Sequence, residues 1–485
     1  MIKKFSTSNH RYLYDSNTNN IVRLDVLTFD IVDDWGKLSN AAIVEKWSHK
    51  YDSDKVGKAL SYIEEIAAKE GIFSTLGPKC LESSWGKRKI KESLDTQIEQ
   101  LILSVSEDCN LRCSYCVYSG QYKFQRVHRA KYMDFSLAKE AIDFFLAHSK
   151  GSKQIALGFY GGEPLLNFEL IKKCIDYFEK ETNGRETHIT LTTNGTLLKG
   201  EIARYLLANH VQIVVSLDGP EEIHNRYRKY KNGRGTFKTV WDNITRLRDE
   251  FPEDYHRCLS YNVLIAPPYE LLKVNDFFLK NRALLGSRLQ PSYVDPYDTN
   301  FFSIFEQRDF AQDDYELMKH RFIRSCIEGT YEDNQFLKRF FERRIMTIYK
   351  RKLYDKFCET HFPNGICLPG TRRLFVGVDG MLRPCERVND HLVIGDIKNG
   401  FDYGKVHDLI SDYSRVSTQD CCYCWALRLC SACFVQAFRN GIDPGRKHLF
   451  CRQEKFNLEH DLSVYCSILE ENPSALDYMK KITIT

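Results

Sequence analysis

The sequence predicts an α/β protein: a partial (β/α)6 TIM-like barrel, preceded by a winged-helix-like unit and followed by a cysteine-dense domain. Three observations carry this. From residue 98 onward strand-like runs alternate with helical runs, the pattern of parallel strands joined by right-handed crossovers. Before that, two strand-like runs flank a polar turn and lead into helical periodicity. Beyond residue 356, nine of the 17 cysteines fall between Cys358 and Cys451. The expected domains are therefore 1–85, 98–300, 301–356 as a helical bridge, and 357–475. That number suits 485 residues at roughly 100–200 residues per domain.

Taken in order, Tyr12-Leu13-Tyr14 and Ile21-Val22-Arg23-Leu24 read as short strands around the polar turn Asp15–Asn20. Helices follow near Asn40–Ser48 and Ser53–Lys69, the second carrying Val56, Leu60, Ile63 and Ile66 on one face. Residues 82–97 are polar and charged and read as a linker. The strand-like runs are then Ile98–Val105, Gln154–Tyr160, His188–Thr193, Val211–Leu217, Cys258–Ile265 and Arg288–Val294. Between them lie helical runs Ser136–Ser149, Asn167–Lys180, Lys199–Asn209 and Phe237–Arg248. Six such units make an incomplete barrel, with ligands expected at the carboxyl ends of the strands. Residues 300–356 are charged and helical. Residues 357–451 are loop-rich, a segment expected to take its stability from metal ligation.

Composition narrows the function. Hydrophobic residues make up 43 % of the chain, which excludes a disordered protein. The net charge of +4 argues against a nucleic-acid binder working through bulk charge. The first ten residues contain no apolar core of a signal peptide, and no run is long enough to span a membrane. A cytoplasmic chain this rich in cysteine binds metal or performs redox chemistry more often than it forms disulfides.

The first strand of the alternating region ends in Ser106-Glu107-Asp108-Cys109-Asn110-Leu111-Arg112-Cys113-Ser114-Tyr115-Cys116, a C-x3-C-x2-C spacing. Three close thiolates suit three corners of an iron–sulfur cubane and leave one iron open. A zinc site is the alternative, with its fourth ligand brought from elsewhere. This motif resembles the signature of the radical S-adenosylmethionine (SAM) enzymes. The resemblance implies a 4Fe–4S cluster on Cys109, Cys113 and Cys116 that binds SAM and cleaves it reductively to a 5′-deoxyadenosyl radical. It extends to the other strand ends. Gly161-Gly162-Glu163-Pro164 is similar to the family's GGEP motif at the SAM amine. Thr193 and Asn194 fall where the family contacts the ribose. Ser216-Leu217-Asp218-Gly219-Pro220 with His224, Arg228 and Gly233-Arg234-Gly235-Thr236-Phe237 is similar to a stretch of peptide-modifying members. There Ser216 belongs to the SAM-binding set and Arg228 is a candidate partner of the SAM carboxylate; a plain surface arginine is the other reading.

In the second region Cys367 and Cys385 bracket Gly380 as C-x12-G-x4-C, followed by Cys421-x2-Cys424-x5-Cys430-x2-Cys433 and, after a gap, Cys451. Two zinc ribbons would explain such spacings. The pattern also resembles the iron–sulfur SPASM domain of radical SAM peptide maturases, departing from it by x2 rather than x3 before Cys433. The resemblance implies two auxiliary 4Fe–4S clusters, three clusters in all. One would take Cys367, Cys385 and Cys433 with Cys358 as candidate fourth ligand; if Cys358 does not ligate, an open iron is left for a substrate thiolate. The other would take Cys421, Cys424, Cys430 and Cys451, with Cys422 an extra thiol beside Cys421. Glu386, directly after Cys385, stands where sulfatase-maturing relatives carry an acidic base; its alternative is a carboxylate paired with Arg383 or Arg387. Residues 1–85 are similar to the leader-recognition element of ribosomal-peptide biosynthesis enzymes, which captures a leader by adding a strand to a sheet edge.

The expected function is thus a radical SAM oxidoreductase that matures a ribosomally made precursor peptide, joining a cysteine sulfur to carbon in the manner of sactipeptide and ranthipeptide thioether synthases. Its partners would be the precursor peptide, held by its leader, and an electron donor such as flavodoxin or ferredoxin. Carbon–carbon cross-linking, sulfatase-type formylglycine formation, and a zinc-ribbon binding protein without radical chemistry are the alternatives.

Overall fold

The computed structural model describes residues 1–482 apart from 75, 183, 311–312, 356–357 and 363–365. The chain opens with three antiparallel strands, β1 (Ile2–Ser6), β2 (Arg11–Asp15) and β3 (Asn20–Leu24), in the order β1-β2-β3. The Asp15–Asn20 turn is set by its own side chain: Asp15 Oδ1 accepts hydrogen bonds from the backbone N–H groups of Asn17 and Thr18 at 3.0 and 2.9 Å. Helices α1 (Val26–Ile31), α2 (Asn40–Trp47) and α3 (Ser53–Glu70) follow, each with a side-chain N-cap from Asp25, Ser39 and Asp52. Their apolar faces meet Leu13 and Leu24 in a core separate from the main one. β1 escaped the sequence reading, because Ile2-Lys3-Lys4-Phe5-Ser6 carries too little alternation to stand out.

After the two-residue β4 (Cys80–Leu81) comes a correction. The stretch expected as a linker contains helix α4 (Lys87–Thr96), with Ile90 and Leu94 fully buried in the main core. Two apolar residues four apart are enough to dock a short helix, and the surrounding charges face out.

The alternating region forms six parallel strands: β5 (Gln100–Ser106), β6 (Ile155–Gly161), β7 (Thr187–Thr193), β8 (Gln212–Ser216), β9 (Leu259–Ile265) and β10 (Arg288–Tyr293). Each pairs with the next in chain order. Helices α5 (Phe135–Ala147), α6 (Phe168–Thr182), α7 (Gly200–Ala208), α8 (Glu221–Tyr227), α9 (Phe237–Glu250), α10 (Pro252–Cys258) and α11 (Leu271–Lys280) connect them. β5 and β10 are not neighbours, so the sheet stays open. α12 (Asp313–Glu328) and α13 (Gln335–Tyr349) then pack on one another, with α13 also against β10.

The cysteine-dense region is loop-rich as expected, and short strands and two helices tie it to the rest of the fold. After β11 (Thr360–His361), which pairs with β4, β12 (Leu374–Val376) runs parallel beside β5 and extends the large sheet. β13 (Met381–Arg383), β14 (Gly395–Asp396) and β15 (Gly400–Phe401) add to it antiparallel. Two long helices complete the chain, α14 (Tyr403–Cys421) and α15 (Pro444–Glu471). The pattern of α15 is masked by the charged residues it buries, Lys447, Glu454 and Asp461. Both helices position thiols: α14 ends at Cys421 and α15 carries Cys451 in its second turn.

Candidate functional site

The loop after β5 places Cys109 and Cys113 in a buried cluster with Leu111 and Tyr115, and Cys116 packs against it. Cys109 Sγ accepts from the N–H of Leu111 at 3.4 Å and from Asn194 Nδ2 at 3.8 Å; Cys116 Sγ accepts from the N–H of Tyr118 at 3.4 Å. Burial, then neighbouring charge from Glu163 and Cys113, pushes Cys109 up to about 12. Cys113 rises to about 12 and Cys116 to about 11, again chiefly by burial, each with a contribution from another thiol of the three.

The strand after this loop comes very close. A Cβ on Gly162 would lie 2.1 Å from the Asp108 carbonyl oxygen, and one on Gly161, whose φ is +136°, 2.2 Å from that of Ser106. Only glycine lets the two strand ends meet. There the N–H groups of Gly162 and Glu163 donate to Ser106 and Asp108. Glu163 itself is fully buried. Its Oε1 accepts from Thr193 Oγ1 at 2.7 Å and from the N–H of Leu165 at 3.1 Å, and its Oε2 from the N–H of Asn194 at 2.7 Å. Burial raises it to about 7 against those hydrogen bonds. Its carboxylate thus fastens the β6 end, with Pro164 buried behind it, to the β7 end. Asn194 in turn bonds Asn110 in the cysteine loop at 2.8 Å, and Asn110 bonds Thr196 at 2.8 Å. The three strand ends are one hydrogen-bonded unit.

Ser216 closes β8, and beyond it Asp218 and Arg228 form a buried pair, Nε to Oδ2 at 2.9 Å. Tyr115 donates its hydroxyl to the same oxygen, and the Arg228 guanidinium lies 5.5 Å from the Tyr115 ring centre. Arg228 is therefore not a surface residue. It is held against Asp218 and within electrostatic reach of Cys113 and Cys116. His224 is an internal strut, bonded to Thr236 at 3.0 Å and pushed down to about 3 by burial. Tyr115, Asp218, Asn110 and Thr196 carry the scaffold without having been singled out for it. Their signal was their place at strand ends, which does not show which side chains converge.

The second region resolves into two groups of thiols. Cys367, Cys385 and Cys433 act on one another: burial first, then Glu386 and these neighbours, raise Cys385 to about 12, and burial with Cys367 raises Cys433 to about 11. Cys358 is exposed, beside the segment where Lys79 donates to the Glu359 carbonyl. Cys421, Cys424, Cys430 and Cys451 line a single pocket with Lys447 and Glu454. Cys422 is not part of its lining and packs instead against Leu81 and Leu427. Lys447, 2 % exposed, points its Nζ at Cys421 Sγ, 3.3 Å away, and at Asp420.

Glu386 pairs through Oε1 with Arg373, a partner outside the sequence reading, and with Arg387 Nε at 3.7 Å. Arg383 is engaged by Asp379 instead. The other oxygen of Glu386 is buried without a hydrogen-bond partner. The carboxylate contributes to raising Tyr160, the residue before Gly161, after burial and Tyr118. Glu386 thus faces the interval between the two cysteine regions.

The donor sets fit iron–sulfur clusters better than lone ions. Apart from the exposed Cys358 the thiols are buried or half-buried, grouped in threes and fours, and several receive N–H donors or a buried ammonium, which stabilise thiolate sulfur.

Comparison with known proteins agrees. Residues 103–269 match the radical SAM superfamily. The chain is 27 % identical over 388 residues to a cysteine-type anaerobic sulfatase-maturating enzyme of Clostridium perfringens, spanning 76 % of this chain and 94 % of that enzyme. It is 28 % identical over 173 residues to a radical SAM cyclopropyl synthase of Paramaledivibacter caminithermalis, 34 % of this chain and 36 % of the synthase. An uncharacterized protein of Methanocaldococcus jannaschii shares 38 % over 137 residues, 28 % of this chain and 44 % of its own length. The fold is shared with the solved structure of native anSMEcpe with bound AdoMet, at a TM-score of 0.56 and 22 % identity, over 79 % of this chain and 100 % of that one. Residues 103–269 are thus a radical SAM domain, of a superfamily that uses SAM and a 4Fe–4S cluster, and anaerobic sulfatase-maturating enzymes are among the homologues of the chain. No described helix is long and apolar enough to cross a membrane.

Proposed function

We propose that this enzyme matures a precursor peptide, linking a cysteine sulfur to a carbon of another residue. The observation that carries the reading is the N-terminal unit of three strands and three helices. β1 is tied to α15 by Lys3–Glu459 at 2.7 Å and Ser463–Ser6 at 3.0 Å, whereas no described strand pairs with the outer edge of β3. An edge with unpaired N–H and C=O groups is what β-strand addition of a leader needs.

In this reading Cys109, Cys113 and Cys116 hold the SAM cluster. Gly161, Gly162, Thr193, Asn194 and Ser216 line the SAM side at the strand ends, and Glu163, Pro164 and Arg228 hold those ends in place. Cys421, Cys424, Cys430 and Cys451 hold one auxiliary cluster; Cys367, Cys385 and Cys433 hold the other, with Cys358 the candidate for its remaining position. Bound SAM with its cluster supplies hydrogen-atom abstraction, which no side chain can perform. The chain's own contribution is to bury these centres, to fix the strand ends through Glu163, and to place the unpartnered oxygen of Glu386 where it accepts a proton from a substrate group.

A second reading, formylglycine formation in a sulfatase, is favoured by the similarity across nearly the whole clostridial enzyme. Anaerobic incubation with SAM and a cysteine-bearing precursor peptide separates the two. Thioether formation removes two hydrogens per link and consumes a free thiol, whereas formylglycine formation removes the sulfur from the peptide. SAM cleavage with a peptide of unchanged mass would defeat the thioether reading.

A further inference from the structure

Two segments of the chain carry cations and no acid. There is no Asp or Glu between Asp108 and Asp134, nor between Glu222 and Asp242. The fold brings both segments to the first cysteine loop. Leu111 and Tyr230 form an antiparallel bridge, and the N–H of Arg112 donates to the Lys229 carbonyl at 2.8 Å. On the other flank the N–H of Glu107 donates to the Lys131 carbonyl at 2.8 Å, and that of Arg129 to the Glu107 carbonyl at 3.3 Å.

Side chains then converge on the two residues before Cys109. Asp108 Oδ1 accepts from Lys231 Nζ at 3.1 Å and lies 3.8 Å from Arg112 Nη2, and Glu107 Oε2 lies 2.9 Å from Arg129 Nε. The carboxylates are mostly covered, whereas Arg112, Arg129 and Lys231 stay 41 %, 48 % and 51 % exposed. Arg234 lies over the Tyr230 ring, 5.3 Å from its centre. Lys131, Lys229 and Arg234 are exposed, and among the described residues they form no ion pair. Six cations thus stand around two covered carboxylates, on the loop that carries Cys109, Cys113 and Cys116. Cys109 turns its sulfur toward Asn194 and the joined strand ends, while these cations face solvent. Tyr132, 46 % exposed and bonded to Asp108 at 3.2 Å, adds apolar area among them. Dispersed, exposed cations steer and orient a large acidic surface better than they hold a small anion.

We propose that this face docks a small acidic protein that carries one electron at a time, and that electrons reach the SAM cluster through it. Position decides for an electron carrier over an acidic peptide: Arg112 stands between Cys109 and Cys113, and reductive cleavage of SAM needs an electron delivered at those cysteines. With flavodoxin as carrier, the flavin hydroquinone is oxidised to the semiquinone and the 4Fe–4S cluster gains one electron; no covalent bond forms or breaks in the transfer. The inference rests on the assignment of Cys109, Cys113 and Cys116 to the SAM cluster, and not on which peptide is modified.

The test uses the full-length, cluster-loaded enzyme and two readouts. Binding of fluorophore-labelled flavodoxin is measured by anisotropy, and deoxyadenosine formation from SAM is measured with either flavodoxin hydroquinone or dithionite as reductant. Flavodoxin is expected to bind, and to bind less tightly as salt rises toward about 0.5 M. Lys131→Glu/Lys229→Glu alters side chains without ion pairs and leaves the carbonyls that hold the loops. At low salt it should weaken binding and slow flavodoxin-driven cleavage at least about tenfold, with dithionite-driven cleavage unchanged. Lys131→Arg/Lys229→Arg should behave as the parent. So should Lys173→Glu/Lys180→Glu, the same charge change on exposed lysines of α6. The inference is overturned if flavodoxin does not bind, if the α6 variant loses as much, or if dithionite-driven cleavage falls in parallel. It is also overturned if the Lys131/Lys229 variant weakens binding of an Asp-rich peptide and leaves flavodoxin binding intact. Absence of dithionite-driven cleavage by the unaltered enzyme would remove the cluster assignment and this inference with it. Flavodoxin results as expected, with a peptide of unchanged mass, would remove the thioether reading alone.

Discussion

At the scale of single residues the candidate site is governed by a few buried charges. Glu163 is the hub of three strand ends, and both of its oxygens accept hydrogen bonds. Glu163→Gln would turn one acceptor into a donor facing a donor. The expected cost is about 1–3 kcal/mol, seen as a lower thermal midpoint. The pH dependence has a definite sign. Burial holds the folded-state pKa near 7, above the ordinary 4.5, so between those values the folded protein keeps a proton that the unfolded chain releases. Glu163 therefore makes stability fall as pH rises from about 4.5 to about 7, and the glutamine variant should lose that part of the slope. Melting of both proteins across this range is the measurement. Lys447 makes a different prediction. Removing its ammonium as Lys447→Met takes a donor and a positive charge from Cys421. The midpoint potential of the cluster on that pocket should become more negative, and Lys447→Arg should restore part of the shift. Iron and sulfide counts on the same samples establish that the cluster is present.

At the scale of elements, β3 is the strand on which the leader proposal depends. Of two consecutive strand residues, one N–H faces the neighbouring strand and the other faces out. Ile21→Pro and Val22→Pro therefore differ in kind: one breaks the ladder with β2, and the other removes only an outward donor. The variant that keeps the native melting temperature is expected to lose modification of the full-length precursor at least about tenfold, while basal SAM cleavage persists. Full modification by that variant would remove leader capture at β3. The same scale shows what was legible in the sequence. The runs behind β5, β6, β8 and β9 are rich in apolar residues, and those behind β7 and β10 stood out by their place in the alternation of strands and helices. α4 did not, because only Ile90 and Leu94 mark its buried face among charges. α15 did not, because Lys447, Glu454 and Asp461 occupy positions that read as exposed until Cys421, Ser431 and Arg344 are seen opposite them. The thiols were legible by spacing. Their division into a trio and a quartet was already implied by the resemblance; what only the fold shows is the pairing of Glu386 with Arg373 across the β12–β13 hairpin.

At the scale of the whole molecule, the question is what couples the parallel sheet to the cysteine-dense region. β12 joins them through the backbone. A side-chain network joins them through helices: Arg344 on α13 donates from Nε to Asp461 at 2.5 Å and from Nη1 to Glu454 at 3.2 Å, both on α15. Glu454 then accepts from the N–H and hydroxyl of Ser431, between Cys430 and Cys433, at 3.1 and 2.7 Å. Asp461 and Glu454 are about 95 % buried, and burial raises Asp461 to about 6 even with the arginine beside it. Removing the guanidinium strands two buried carboxylates rather than deleting a surface contact. Arg344→Leu should therefore cost on the order of 3–5 kcal/mol, whereas Arg339→Ala, an exposed arginine of the same helix, should cost under about 1 kcal/mol. Because Glu454 also fixes the Cys430–Cys433 turn, Arg344→Leu is expected to lower the iron content along with the melting temperature. Arg344→Leu/Asp461→Asn/Glu454→Gln, which removes the stranded charges, should recover stability before it recovers iron, since Ser431 then has only a weaker partner. Recovery of both in step would mean that the network stabilises α13 against α15 without positioning the thiols.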